Sequence, residues 1–265
     1  VFHPGLYDYF HSLMEVIDFP ELLLEVMLSF LLFAGALHIN LDELKAQSWS
    51  ITTFATFGVV FSTFLVAGLI YLLLMLTPYA VAFIACLLFG ALISPTDPIA
   101  VLGILKQAGL PKRIQTIVSG ESLFNDGVGV VVFLTVLEIS ELGIDKITAL
   151  DVAELFATEV AGGIATGLVF GWVAYRLMRS IDQYHTGIFL SLAVVLGGYS
   201  FASWMHFSAP LAMVAAGLLI GNNARVEAMS DVTQDYLMKF WEVIDEYLNA
   251  ILFVLIGLEI IILPI

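Results

Sequence analysis

An all-α polytopic membrane protein is the fold class this sequence predicts, on three observations: its apolar content, its shortage of charge, and apolar runs long enough to cross a bilayer. Of 265 residues 60% are apolar, and the mean hydropathy is +1.01, against about 45–50% apolar in soluble domains. Only 12% are Asp, Glu, Lys or Arg, too little polar material to coat a globule of this size. A spanning helix needs about 20 mostly apolar residues. Up to eight candidate segments occur, near 21–39, 50–76, 79–105, 114–137, 152–178, 188–205, 209–221 and 237–263.

Taken in order, the first segment carries Glu25 deep among apolar residues, and the second carries no charged residue. The third is apolar from Ala80 to Ile93, reads Ser94-Pro95-Thr96-Asp97-Pro98, and resumes at Ile99-Ala100-Val101. Two prolines so close together remove two amide donors and clash with preceding carbonyls, which breaks the helix near mid-membrane. Non-helical backbone at that depth is tolerated only against protein or a water-filled cavity. The freed carbonyls, the Ser94 and Thr96 hydroxyls and the Asp97 carboxylate make a cluster of hard oxygen ligands, which broken helices in secondary transporters offer to small cations. A plain proline kink is the alternative reading.

The fourth segment carries Gly120-Glu121-Ser122-Leu123-Phe124-Asn125-Asp126-Gly127. At about 100° per residue, Glu121, Asn125, Ser122 and Asp126 fall at about 0°, 40°, 100° and 140°, on one side of the helix. Ionisable groups at membrane depth are costly and mark function by default; Glu25, Asp97, Glu121 and Asp126 qualify, with Glu259 nearer a segment end. Asn125 as a tie between backbones and Glu121 as a buried ion-pair member are structural readings that stand beside the functional one.

The fifth segment spaces Gly163, Gly167 and Gly171 four apart, and Gly217 and Gly221 repeat the spacing on the seventh. Such stripes let helix backbones approach in lipid, either within one subunit or across a dimer contact. The seventh segment is short and follows Ser208-Ala209-Pro210, so it is compatible with a full span, a tilted piece or a re-entrant one. His38 and His206 lie near segment ends and read as structural or pH-sensing. Trp49, Trp204 and Trp241 read as interfacial anchors.

If every segment spans, Lys45, Lys106, Lys112, Arg113, Arg176, Arg179, Arg225 and Lys239 fall on one side and Lys146 on the other. The positive-inside rule makes the basic side cytoplasmic. The net charge of −15 excludes nucleic acid as a partner. Cys86 is the single cysteine, so neither an intrachain disulfide nor a cysteine metal site can form. No signal peptide is visible at the N-terminus, and a chain opening on Val1 and closing on Pro264-Ile265 reads as a fragment.

At Thr96-Asp97-Pro98 and Glu121…Asn125-Asp126 the sequence resembles the NhaP/NHE branch of the sodium/proton antiporters. The likeness extends to Phe33-Ala34-Gly35-Ala36-Leu37, to Leu41-Asp42-Glu43-Leu44, and to Phe240-Trp241-Glu242 through Leu255-Ile256-Gly257-Leu258-Glu259. The resemblance implies an antiporter fold of inverted repeats with a discontinuous helix, here incomplete. Its ion-binding core would be about 50–138, its scaffold and dimerisation part about 21–49 and 188–265, and its linking helix about 152–178. It implies Asp126 as the main Na⁺- and H⁺-binding carboxylate, Asp97 as a second, and Thr96 and Ser122 as further oxygens. The Asn125-Asp126 pair goes with electroneutral exchange. The family has about a dozen helices, so the chain reads as lacking the first and the last three, and with them a second broken helix and an Arg partner for Glu121. A homodimer in the cell membrane is implied, with no cofactor beyond the transported Na⁺ and H⁺.

K⁺ or another monovalent cation is the alternative cargo, because the ligand types are shared. An intramembrane aspartyl protease with Asp97 and Asp126 as its dyad is the enzyme alternative. It would require neither a proline-flanked Asp nor an adjacent Asn-Asp. A channel would need a filter loop, and none is repeated here.

Overall fold

The structure, a computed structural model, describes residues 26–78, 81–96, 111–142, 149–224 and 229–262. Within them the chain is helical throughout. The helices are α1 (Leu28–His38), α2 (Leu41–Ala46), α3 (Ser48–Leu74), α4 (Phe83–Ile93), α5 (Lys112–Leu142), α6 (Ala149–Met178), α7 (Tyr184–Trp204), α8 (Ala209–Leu219) and α9 (Asp231–Ile262). Four stretches are long and apolar enough to cross a membrane: Ser48–Leu74, Arg113–Glu141, Leu150–Met178 and Tyr184–Trp204. Shorter apolar helices are Leu28–His38, Phe83–Ile93 and Ala209–Asn222. Their hydrophobicity has little direction around the axis because lipid and protein are both apolar partners. Phe57, Phe61, Phe64, Leu65, Leu69 and Leu72 accordingly stand exposed along α3.

Two apolar cores organise the bundle. One, from α3, α4 and α5, contains Val59, Ala67, Cys86, Leu87, Ala91, Val128 and Val132. The other, from α1, α6, α7, α8 and α9, contains Phe33, Leu37, Met178, Val195, Met213, Ile220 and Trp241. A third, smaller cluster joins them, where Leu32 and Ala36 of α1 and Val214 and Leu218 of α8 meet Ile51 and Leu123.

The short seventh segment is the centre of this arrangement. Every residue from Ala209 to Leu218 is buried, so α8 is enclosed by protein on all its faces. Ser208 starts it, its hydroxyl accepting from Leu211 N at 3.4 Å, with Pro210 in the first turn where its missing amide costs nothing. The glycine stripes explain the enclosure. A Cβ on Gly163 or Gly167 would strike the carbonyls of Ser208 and Ala212, and one on Gly171 would press on Ala216. On the other face, Gly217 and Gly221 meet the backbone carbonyls of Phe33 and Leu37. These contacts lie within one chain, so the packing option for the stripes is the one realised at all five positions.

Polar ties close the ends of the bundle. Asn222 accepts from Leu41 N at 2.8 Å and donates to the carbonyls of Ile39 and Leu218 at 3.0 and 2.8 Å, binding the end of α8 to the α1–α2 turn. At the same end Arg113 Nε donates to Gln47 at 2.9 Å and Thr116 to Glu43 at 3.0 Å. At the opposite end Ser208 N donates to the Glu159 carbonyl at 3.1 Å. The start of α5 thus lies at the same end as the start of α3, and Lys45 and Arg113 share that end.

One expectation changes. Trp241 is not an interfacial anchor: it is fully buried, its indole N–H donating to Ser191 Oγ at 2.9 Å and its ring 4.7 Å from Phe33. The reason is that α9 begins at Asp231, ten residues before it, so Trp241 lies well inside a helix and not at its entry. Thr233, Leu237 and Trp241 form the buried stripe of that helix, while Asp235, Lys239, Glu242 and Glu246 stay exposed. The first part of α9 is therefore amphipathic, and its continuous apolar run begins only after Glu246. Trp49 and Trp204 do stand out from the surface, at 85% and 74% exposure. His38 is held structurally, its Nδ1 donating to the Ala34 carbonyl at 2.9 Å.

Asp182 anchors the start of α9. It accepts from Ser230 N at 3.2 Å and from the hydroxyls of Ser230 and Thr233 at 3.0 Å each. The backbone bond from Ser230, followed by the Thr233 and Ser230 hydroxyls, holds its carboxyl below the ordinary value of 3.8. That stabilisation is fully present above the ordinary value and is lost as pH falls through the lower folded one. Asp182→Asn should therefore lower thermal stability in detergent at neutral pH, and its deficit against wild type should shrink only as the pH falls below the ordinary value of 3.8. For the helix contacts, Gly167→Ala should cost about 1–3 kcal/mol because a backbone carbonyl stands in the way. Gly68→Ala, with open space at its Cβ, should be neutral or gain up to about 1 kcal/mol; thermal unfolding of the two variants side by side checks the contrast.

Candidate ion-binding site

The end of α4 and the middle of α5 build the site. Gly90 lets α4 approach α3 so closely that a Cβ there would strike the Thr63 carbonyl. One turn later Ser94 Oγ donates back to the Gly90 carbonyl at 2.6 Å, and α4 stops at Ile93. Pro95 has no amide to continue the ladder. Its ring rests against Gly129 of α5, in space that any Cβ at 129 would occupy. The helix therefore stops where the Ser94-Pro95-Thr96-Asp97-Pro98 run predicts, with a glycine on the neighbouring helix seating Pro95, while Asp97, Pro98 and the predicted resumption at Ile99 lie outside the described residues.

Thr96, next to Pro95, meets the polar face of α5. Asn125, fully buried, donates from Nδ2 to Thr96 Oγ1 at 2.9 Å and to Glu121 Oε1 at 2.7 Å, with the Thr96 carbonyl at 3.5 Å. The Thr96 hydroxyl is 3.4 Å from each Glu121 oxygen. Asn125 thus ties the broken helix to a carboxylate one turn back on its own helix. Its Oδ1 is buried without a hydrogen-bond partner among the described residues. Ser122 is buried beside this cluster.

Asp126 turns to the adjoining side. It is half-buried and lines a cleft of ≈ 130 Å³ with Leu28 of α1, Leu92 of α4, Pro95, Gly129 and Phe133. The other residues that line the cleft are apolar. Thr96, Glu121, Ser122, Asn125 and Asp126 come together on two adjacent elements. Asp97 and Glu25 lie outside the described residues, as do Lys106, Lys146 and Arg225. Glu259 is on α9, far along the chain from this cluster.

The donors present are carboxylate, amide carbonyl, hydroxyl and backbone carbonyl oxygens. Among the described residues no group of three His, Cys, Asp or Glu side chains could hold a metal ion. An all-oxygen set with few charges suits a hard cation held weakly enough to leave, not a resident transition metal. Sequence reasoning passed over one ionisable group, Glu159, ten residues into α6. The signal was available, since it is a carboxylate inside a predicted membrane segment.

An all-α bundle in which an apolar helix ends at a proline beside the polar face of its neighbour defines a polytopic membrane protein. The chain belongs to the sodium/hydrogen exchanger family, whose transmembrane model matches residues 4–263. It is 52% identical over 262 residues to the Na⁺/H⁺ antiporter NhaP of Pseudomonas aeruginosa, covering 99% of this chain and 62% of that protein. It is 33% identical over 249 residues to the Na⁺/H⁺ antiporter NhaH of Halobacillus aidingensis, covering 91% of this chain and 59% of that one. The fold is that of the sodium proton antiporter MjNhaP1 from Methanocaldococcus jannaschii. The match has a TM-score of 0.71 at 22% identity, over 92% of this chain and 57% of the other. The chain therefore spans about three fifths of the length of the curated relatives it matches.

The Asn125 ties generate a stability prediction. Asn125→Ala removes a hydrogen bond to a carboxylate and releases Thr96, and should cost about 1.5–3 kcal/mol. Asn125→Asp places a second carboxyl against Glu121 and should be destabilising at neutral pH but less so in acid. Denaturation of both variants in detergent at two pH values measures each effect.

Proposed function

We propose that this chain carries the ion-binding part of an electroneutral Na⁺/H⁺ antiporter of the cell membrane, in which Na⁺ and H⁺ compete for Asp126. One observation carries the reading: the Ser94–Thr96 break is locked to Glu121 through Asn125, while the next residue, Asp126, lines an apolar cleft against the same break. A carboxylate can be neutralised by a proton or by a cation, so the two compete for it. If only the neutralised site crosses between the two faces of the membrane, each Na⁺ carried one way is matched by a proton carried the other. Either gradient then drives the exchange, and no further coupling device is required.

The remaining residues support this chemistry. Thr96 and the orphan Asn125 carbonyl supply neutral oxygens, Ser122 adds a hydroxyl, and Asp97 is the second carboxylate of the motif. Glu121 acts as a positioning residue that fixes the Asn125 amide. Because Asn125 occupies the position beside Asp126 where a second acid would carry a second charge, one proton per Na⁺ is the expected stoichiometry.

The same reading assigns 50–138 to the moving core and 21–49 with 188–265 to the scaffold and homodimer contact, with 152–178 as the linking helix. Two separate apolar cores joined by a small cluster support this division. The enclosure of α8 by α6 on one face and α1 on the other supports a rigid scaffold.

The test is Na⁺-dependent dissipation of a pH gradient in inside-out vesicles containing the full-length protein. Asp126→Asn should reduce the signal to that of empty vesicles, and an undiminished signal would move the ion site elsewhere. In the wild type, competition predicts that the Na⁺ concentration for half-maximal exchange rises about tenfold per unit of pH below the titration of the site. A half-maximal concentration independent of pH would exclude a shared carboxylate.

A further inference from the structure

A second cavity, of ≈ 150 Å³, lies between α5, α6 and the α7–α8 turn, at the end of the bundle opposite Lys45 and Arg113. Val130, Leu134, Glu159, Ser203, His206 and Ser208 line it. Glu159 is about 15 Å along α6 from its start, half-buried and within electrostatic reach of Glu138 on α5. Ser203 Oγ is shielded from solvent with no hydrogen-bond partner among the described residues. His206 is the sole non-glycine residue with positive φ among the described ones, at 57°.

The backbone at His206 has a structural role that glycine would serve better. Phe207 N donates to the Ala202 carbonyl at 2.8 Å and His206 N to the Ser203 carbonyl at 3.1 Å. These are the paired bonds of a Schellman cap, whose left-handed position is usually glycine. A side chain in that conformation is strained by about 1–2 kcal/mol, and strain of this kind collects where a side chain is needed. Here it brings an imidazole to the wall of a cavity that already holds a carboxylate and an unpartnered hydroxyl.

This cavity and the Asp126 cleft share one lining residue, Val130, one helical turn beyond Asp126 on α5. The two are therefore neighbours along the helix, with a single aliphatic side chain in common.

We propose that Glu159, with His206 and the Ser203 hydroxyl, forms a second binding site for a monovalent alkali cation or a proton, a vestibule that loads Asp126 past Val130 from the outer face. Glu159 supplies the charge that concentrates cations there. Glu138 adds to the negative field from α5, and His206 opposes it when protonated. No charged side chain from α7 or α8 lines the cavity among the described residues. The inference rests on the antiport reading for its cargo but not for its accessibility.

Two measurements on the full-length protein test it. In right-side-out and inside-out vesicles, Glu159→Gln should raise the KM for Na⁺ presented at the outer face about tenfold, the worth of one charge-assisted contact, and leave the inner-face KM in place. Glu159→Asp should restore most of the loss. An equal rise at both faces marks a merely structural role, and no rise at either removes the site. Independently of transport, Glu159→Cys in a cysteine-free background should react from outside with a membrane-impermeant thiol reagent and be slowed by Na⁺. Absence of labelling overturns the vestibule even if exchange is intact. Labelling slowed by Na⁺ in a protein without Na⁺-dependent proton flux would keep the cation site and discard the antiport reading.

Discussion

A helix that stops inside an apolar bundle strands its last carbonyls, and in lipid they must be met by protein. At the end of α4 this requirement is answered by two residues of α5. Gly129 has no Cβ, so the Pro95 ring can lie directly on the helix. One turn earlier Asn125 reaches the Thr96 carbonyl and hydroxyl. The rest of the described site depends on that seating: the hydroxyl of Thr96 faces Glu121 because Pro95 is held there, and Pro95 and Gly129 both line the cleft beside Asp126. A larger residue at 129 would move the break, and with it each oxygen that the break supplies.

The same economy of side chain governs the other half of the molecule. α8 is packed so tightly between α6 and α1 that backbone meets backbone at Gly163, Gly167, Gly217 and Gly221. In a bilayer the hydrophobic effect does not drive helices together, so close van der Waals approach has to. The result is a well-packed block around Met213, Ile220 and Trp241, facing an α3–α5 bundle whose outer surface is studded with exposed Phe and Leu. The two halves meet through a small patch around Ile51, Leu123, Val214 and Leu218. Motion of one half against the other would disturb few contacts there compared with motion inside either block.

Much of this was legible from local features. Composition and run length determined an all-α polytopic class. The proline at 95 located the end of α4, and helical phase put Glu121, Ser122, Asn125 and Asp126 on one side of α5. The spacing of Gly163, Gly167 and Gly171 marked a close-packing face without saying what packs there. Position near a segment end misled for Trp241, since the start of α9 lies among polar residues that a hydropathy run does not include. His206 could be placed near a segment end, but its left-handed backbone could not.

What the sequence by itself determined is whatever depends on neighbours a few residues away: which stretches are helical and apolar, where a helix must stop, and which side chains share its face. Which faces meet was decided only by the tertiary structure. The pairing of Pro95 with Gly129, the enclosure of α8, the tie from Asn222 to the α1–α2 turn and the cavity between Glu159 and His206 all join residues distant in the chain. In lipid an apolar helix face suits a bilayer and a neighbouring helix equally, so composition cannot choose between them. Shape does, and shape is a property of the assembled bundle.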